Sequence, residues 1–205
     1  MIKKIFLIYI FSICVISSNI LKAGGHSVLN ITDEDFYIGE ADAPVTIIEY
    51  ASMSCSHCAD FHNDTLEKLK SEYIDTGKVR FVFRDFPFNY PALAGSMVVR
   101  CVPDEMRYDY LNALYKLQKK WVFREHKKTR EELYKIMQSG GMQKDEFDAC
   151  LSDINLENDL LEGVMNAQRE FDIRSTPSFI INGNLISGHK NIKEFRQIID
   201  KILSQ

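Results

Sequence analysis

The sequence has no basic stripe, no internal repeat and no low-complexity segment. The first absence argues against a nucleic-acid surface, because phosphate binding needs clustered cations. Here 25 Lys and Arg are interspersed among 29 Asp and Glu, for a net charge of −4. The other two absences exclude a solenoid and an extended disordered region. No apolar run near the start reaches the roughly 20 residues of a membrane span. Histidine is scarce: His26, His126 and His189 stand alone, and only His57 and His62 neighbour cysteines. Cys55, His57, Cys58 and His62 can be written as metal ligands, but zinc sites usually join two clusters distant in sequence. No second cluster exists.

What is present is ordinary globular material, 45% hydrophobic and 26% charged, in a length suited to one domain or one domain with a large insertion. Lys3 and Lys4 precede an apolar run from Ile5 to Ile16, followed by Ser17, Ser18 and the small residues Ala23-Gly24-Gly25. That pattern predicts a secretory signal over residues 1–23, cut after Ala23, and a loose leader over 24–35. Apolar residues resume at Ile20 and Leu21, so an uncleaved anchor is the alternative. Removing residues 1–23 removes Cys14 and leaves Cys55, Cys58, Cys101 and Cys150. Four cysteines in an exported chain read as two disulfides with three pairings on paper. Close spacing favours Cys55 with Cys58, which leaves Cys101 with Cys150. Two separate buried thiols, or a second redox relay, are the competing readings of the latter pair.

Along the chain, Phe36-Tyr37-Ile38 suggests a short edge strand. Val45 to Tyr50 is β-branched and nearly continuous in apolarity, as in a buried parallel strand. The cysteines follow in a short turn. Apolar residues then recur at three to five positions from Ala59 to Tyr73, the spacing of a helix that Gly77 closes. Val79 to Phe83 is a strand, completing a βαβ unit. Pro91 to about Arg169 reads as helical throughout, with stops at Pro103, Gly140-Gly141 and Asn155. Strands return at Ser178–Ile181 and Leu185–Ser187 around Asn182-Gly183-Asn184, a strong hairpin signal. A final helix runs from Asn191 to Leu203. The order is βαβ, helical block, ββα: an α/β fold of thioredoxin type with an inserted all-helical domain. The expected division is 36–90 and 170–205 for the sheet unit and 91–169 for the insertion.

These motifs resemble the DsbA family of bacterial envelope disulfide oxidoreductases. The resemblance rests on the cysteine pair after the first core strand, Phe83-Arg84-Asp85-Phe86-Pro87 after the second, the helical insertion, and Ser175-Thr176-Pro177-Ser178-Phe179 before the hairpin. It spans roughly residues 36 to 203. It implies a cis bond at Thr176–Pro177, with the Thr176 backbone beside Cys55 where a substrate strand can pair. It also implies a membrane oxidase as recharging partner. The family's best-known members carry Pro-His between the cysteines, whereas this chain has Ser56-His57, which leaves its oxidising strength open.

Disulfide exchange needs a thiolate, a second thiol in reach, and access for another protein's sulfur. Cys55 at a helix start gains from unpaired N–H groups and the helix dipole. Cys58, one turn on, resolves the mixed disulfide. His57 is expected to favour the thiolate further, or else to be an exposed spectator. Glu49 lies six positions before Cys55 in an otherwise apolar strand. It reads either as a solvent-facing edge residue or as a buried acid passing a proton to and from Cys58. Phe86, Phe88, Tyr90 and Trp121 line a peptide groove in one reading and pack ordinarily in the other. The expected activity is a dithiol oxidase of the periplasm that acts on newly exported, unfolded cysteine-containing proteins with no cofactor beyond its own disulfide. A reductase or isomerase is the alternative, and a peptide-binding or metal-handling module without turnover is the competitor from another class.

Overall fold

The computed structural model describes residues 29–32 and 35–205. The expected signal segment, its cut site and Cys14 lie outside the described residues. Five strands form one mixed sheet in the order β1-β3-β2-β4-β5: β1 Phe36–Ile38, β2 Val45–Ala51, β3 Val79–Asp85, β4 Ser178–Ile181 and β5 Asn184–Ser187. The β2–β3 pair is parallel and the other three pairs are antiparallel. β2 is central and almost fully buried, as its nearly continuous apolar run foretold. Asn182 and Gly183 both have positive φ, 44° and 84°, so the β4–β5 hairpin closes on the turn that matches strand twist. The Asn182 side chain also accepts from the Thr46 N–H at 2.7 Å.

A long helix, α1, occupies residues 56–74, with wider π turns at Phe61–Leu66 and Lys70–Ile74. Its buried face carries Cys58, Phe61, His62, Leu66, Leu69 and Tyr73. Phe61 sits among Phe81, Phe179 and Phe195, with ring centroids 4.9 to 6.0 Å apart. Truncating such a residue to Ala typically costs about 3–5 kcal/mol. This cluster clamps α1 between the sheet and the last helix.

The insertion holds α2 Tyr90–Arg100, α3 Asp104–Lys116, α4 Gln118–Trp121, α5 His126–Ser139, α6 Lys144–Cys150 and α7 Ile154–Phe171; α8 Ile192–Leu203 ends the chain. One buried cluster runs from Val45 and Phe61 through Leu114, Trp121 and Leu133 to Cys150, so insertion and sheet share a core. At Gly95, a Cβ would lie 2.7 Å from Trp121 and 3.0 Å from Met53. Glycine there lets α2 press against the turn before the cysteines. Cys101 and Cys150 are bonded, with Cα atoms 6.1 Å apart.

Three expectations shift. The stop placed at Asn155 belongs two residues earlier, because the Asp153 carboxylate caps α7 by accepting from the Asn155 and Leu156 N–H groups. The described part of the leader is not loose. Arg84 grips Asp35 through two hydrogen bonds of 2.8 Å and donates to the Asn30 carbonyl, while Ile31 packs on the second core cluster. The helical segments also overrun the expected 91–169 limits, starting at Tyr90 and ending at Phe171.

Candidate active site

Cys55 is the N-cap of α1, with extended φ and ψ and no side-chain cap bond. Its backbone N–H donates to the Ser52 carbonyl at 3.0 Å, closing the turn that delivers it. Cys58, one turn into the helix, is fully buried, while Cys55 is half-buried. Both are free thiols. Cys55 is therefore reachable and Cys58 is shielded.

The two sulfurs have opposite electrostatics. The Cys55 thiol is drawn down to about 5, first by a hydrogen bond from the Cys58 thiol; burial opposes this, and the Thr176 side chain and the N–H groups of Cys58 and His57 add to it. Burial pushes the Cys58 thiol far up, reinforced by its bond to Cys55 and by the Glu49 charge. At neutral pH one sulfur is a thiolate and the other a thiol that donates to it.

Thr176–Pro177 is cis. Cys55 Sγ lies 3.3 Å from the Thr176 carbonyl, which can accept from it only when the thiol is protonated; the contact joins two segments 121 residues apart. His57 points outward. Its imidazole is exposed and 3.8 Å from Asp60, and its contribution to the thiolate runs through its backbone N–H. Glu49 is fully buried in β2, between Phe83 and Phe179 of the flanking strands. Its Oε2 is 2.9 Å from His62 Nε2. Of the four aromatics considered for a groove, Trp121 and Phe86 are buried, Tyr90 stacks on His126, and only Phe88 is open, at 59% exposed.

The chain matches the family model described as Thioredoxin over residues 31–201. It belongs to the thioredoxin family, in its DsbA-like branch. The structure is similar to Wolbachia pipientis α-DsbA1, with a TM-score of 0.82 and 28% identity over 87% of this chain and 96% of that one. It shares its fold with Bacillus subtilis BdbD, TM-score 0.72, 20% identity, covering 84% and 94% of the two chains. In sequence it is similar to a Rickettsia conorii protein provisionally named a protein-disulfide oxidoreductase, 31% identical over 85% of this chain. The chain spans 62% of that relative's length.

Within this DsbA-like frame, sequence reasoning missed two contributors. Gln118, buried at the start of α4, donates from Nε2 to the Met53 carbonyl at 3.0 Å and the Cys55 carbonyl at 2.9 Å. It fastens the insertion to the cysteine turn, and nothing in its local sequence marks it. His62 was weighed only as a metal ligand. Its place four residues after Cys58, on the same buried helix face, was the available signal. Among the described residues, no cluster of three or more His, Cys, Asp or Glu is arranged to hold a metal ion.

Proposed function

We propose that this chain is an exported dithiol oxidase that donates its Cys55–Cys58 disulfide to newly translocated cysteine-containing proteins. One observation carries the reading: Cys55 is held as a thiolate at the α1 N-terminus, with its pKa drawn down to about 5, beside a thiol that burial keeps protonated. A stabilised thiolate favours the reduced enzyme, and a pair that prefers to be reduced is a strong oxidant of others.

In the proposed cycle, a substrate thiolate attacks Cys55 Sγ and the Cys55–Cys58 bond breaks. Cys58 leaves with the electron pair and takes a proton from Glu49. A second substrate thiolate then attacks the mixed disulfide, and Cys55 departs as the stabilised thiolate. The substrate loses two electrons and the enzyme gains them. A membrane disulfide-generating oxidase recharges the pair. Thr176–Pro177 presents backbone beside Cys55 to receive the substrate strand. The basic and apolar residues 3–23 support delivery to the periplasm.

The test is the redox potential of the Cys55–Cys58 pair against glutathione, together with oxidation of reduced RNase. The expected potential is well above thioredoxin's value of about −270 mV, with rapid RNase oxidation. A value near thioredoxin's, with insulin reduction outpacing RNase oxidation, overturns the assignment in favour of a reductase.

A further inference from the structure

Behind the cysteines lies a polar cluster that the exchange of sulfurs does not itself use. Glu49 and His62 are both buried, and one hydrogen bond joins Glu49 Oε2 to His62 Nε2 at 2.9 Å. The two remaining atoms, Glu49 Oε1 and His62 Nδ1, have no hydrogen-bond partner in the protein. Buried polar atoms are rarely left so, and such atoms commonly mark function. The His62 ring is fixed by stacking on Tyr115 of α3, with centroids 4.0 Å apart and 24° between planes. A small cavity of about 10 Å³ adjoins the pair, which is room for about one water.

The groups facing His62 that carry or can carry charge come from every element around it. Glu49 comes from β2, Tyr115 from α3, and Arg84 and Asp85 from β3 across the cavity, while Cys58 lies four residues before His62 on the same buried helix face. The rest of the wall is apolar. Arg84 is engaged with Asp35 and the Tyr50 hydroxyl, and Asp85 with Arg100 at 2.8 Å. His62 is thus the one group hydrogen-bonded to the Glu49 carboxylate among the described residues.

We propose that His62 is a positioning residue for proton transfer: its Nε2–H donates to Glu49 Oε2, fixes the direction of the carboxyl group, and leaves Oε1 free to exchange a proton with Cys58. The proposal rests on Glu49 being the proton carrier of the cycle above. It adds the hydrogen-bond partner that a carboxyl group buried in an apolar strand needs, since burying a polar group without one is costly. The step it serves is resolution of a mixed disulfide. Cys58 Sγ–H gives its proton to Glu49 Oε1, and the sulfur attacks Cys55 Sγ. The Cys55–Cys58 bond forms, and the bond from Cys55 to the other protein's sulfur breaks. That sulfur leaves as a thiolate with the electron pair, so its disulfide is reduced by two electrons as the enzyme is oxidised by two. In the opposite direction the same pair returns the proton to Cys58.

The test uses a small aromatic disulfide, dithiobis(nitrobenzoate), as oxidant of the reduced protein. Attack by Cys55 releases one nitrothiobenzoate, and resolution by Cys58 releases the second, so the two phases separate the two sulfurs. For His62→Leu, the expected result is a second phase slowed about tenfold at pH 7, less than the roughly 10²–10⁴-fold of losing a general acid–base group outright, because Glu49 itself remains. The first phase serves as internal reference. His62→Gln, which keeps an N–H donor, should restore most of the rate at unchanged thermal stability. A second phase unaffected by His62→Leu, or both phases slowed alike, overturns the proposal. Glu49→Gln tells the two readings apart. If it slows the second phase while His62→Leu does not, His62 alone is dismissed. If neither slows it, the Glu49 relay falls and the His62 role with it.

Discussion

Cys55 and Cys58 lie at the start of α1 as free thiols, whereas Cys101 and Cys150, 49 positions apart, are bonded and tie the end of α2 to the end of α6. The same residue type serves opposite ends because its surroundings differ. At the first pair, a helix N-terminus, the Thr176 side chain and a neighbouring thiol stabilise a negative sulfur, and half of Cys55 stays open to attack. The second pair joins two helices within the insertion, and what it changes is the freedom of the unfolded chain. In the proposed function one pair breaks and re-forms, while the other stays closed.

Substitutions probe that contrast. Cys55→Ala should abolish oxidation of reduced RNase, by about 10³-fold or more, since no other group replaces the nucleophile. The paired change Cys101→Ala, Cys150→Ala should leave that turnover within about twofold. If the double alanine loses turnover as Cys55→Ala does, the second pair is a relay and the contrast collapses. Its expected effect is on stability: a 49-residue closure contributes about 4 kcal/mol in the chain-entropy picture, to be read from urea denaturation of the two forms.

A pH series sharpens the first half of the comparison. The Cys55 pKa is depressed on folding, from 9.0 to about 5. The thiolate's contribution to the stability of the reduced protein is therefore fully present above about pH 9. It shrinks as pH falls from there and is gone below about 5. The slope is at most about 1.4 kcal/mol per pH unit, less for solvent screening at a half-open site. Reduced and oxidised proteins compared at pH 5 and pH 8 should diverge, with the reduced form gaining relative stability at pH 8. Parallel curves would mean that Cys55 carries no stabilised charge. The smallest expected effect belongs to Gln118→Leu, which strips the donor from two carbonyls and costs about 1–3 kcal/mol. Leaving the Cys55 carbonyl with less compensation should also move the thiolate absorbance midpoint upward. An unmoved midpoint would confine Gln118 to packing.

Much of this was written in local pattern. The nearly continuous apolar run of β2, the Asn182-Gly183 turn and the amphipathic α8 are dictated by side-chain period and backbone freedom, which act over a few residues. So the βαβ and ββα halves, the insertion between them and the place of Cys55 and Cys58 could be read directly. The apolar neighbours of Glu49 in β2 left two readings open, a solvent-facing edge residue or a buried acid, and the structure buries it. The stop beyond Cys150 was misplaced because a capping Asp153 and an Asn155 look alike until one sees which side chain receives the N–H groups.

The sequence by itself determined that a cysteine pair opens a helix after a buried strand, since spacing and hydrophobic period need no distant partner. Tertiary structure decided what that pair can do. Thr176 reaches Cys55 across 121 residues, Gln118 reaches the same turn from the insertion, and His62 meets Glu49 between helix and sheet. Those contacts join segments far apart in the chain, and their energies depend on burial and direction, which exist only once the core has closed.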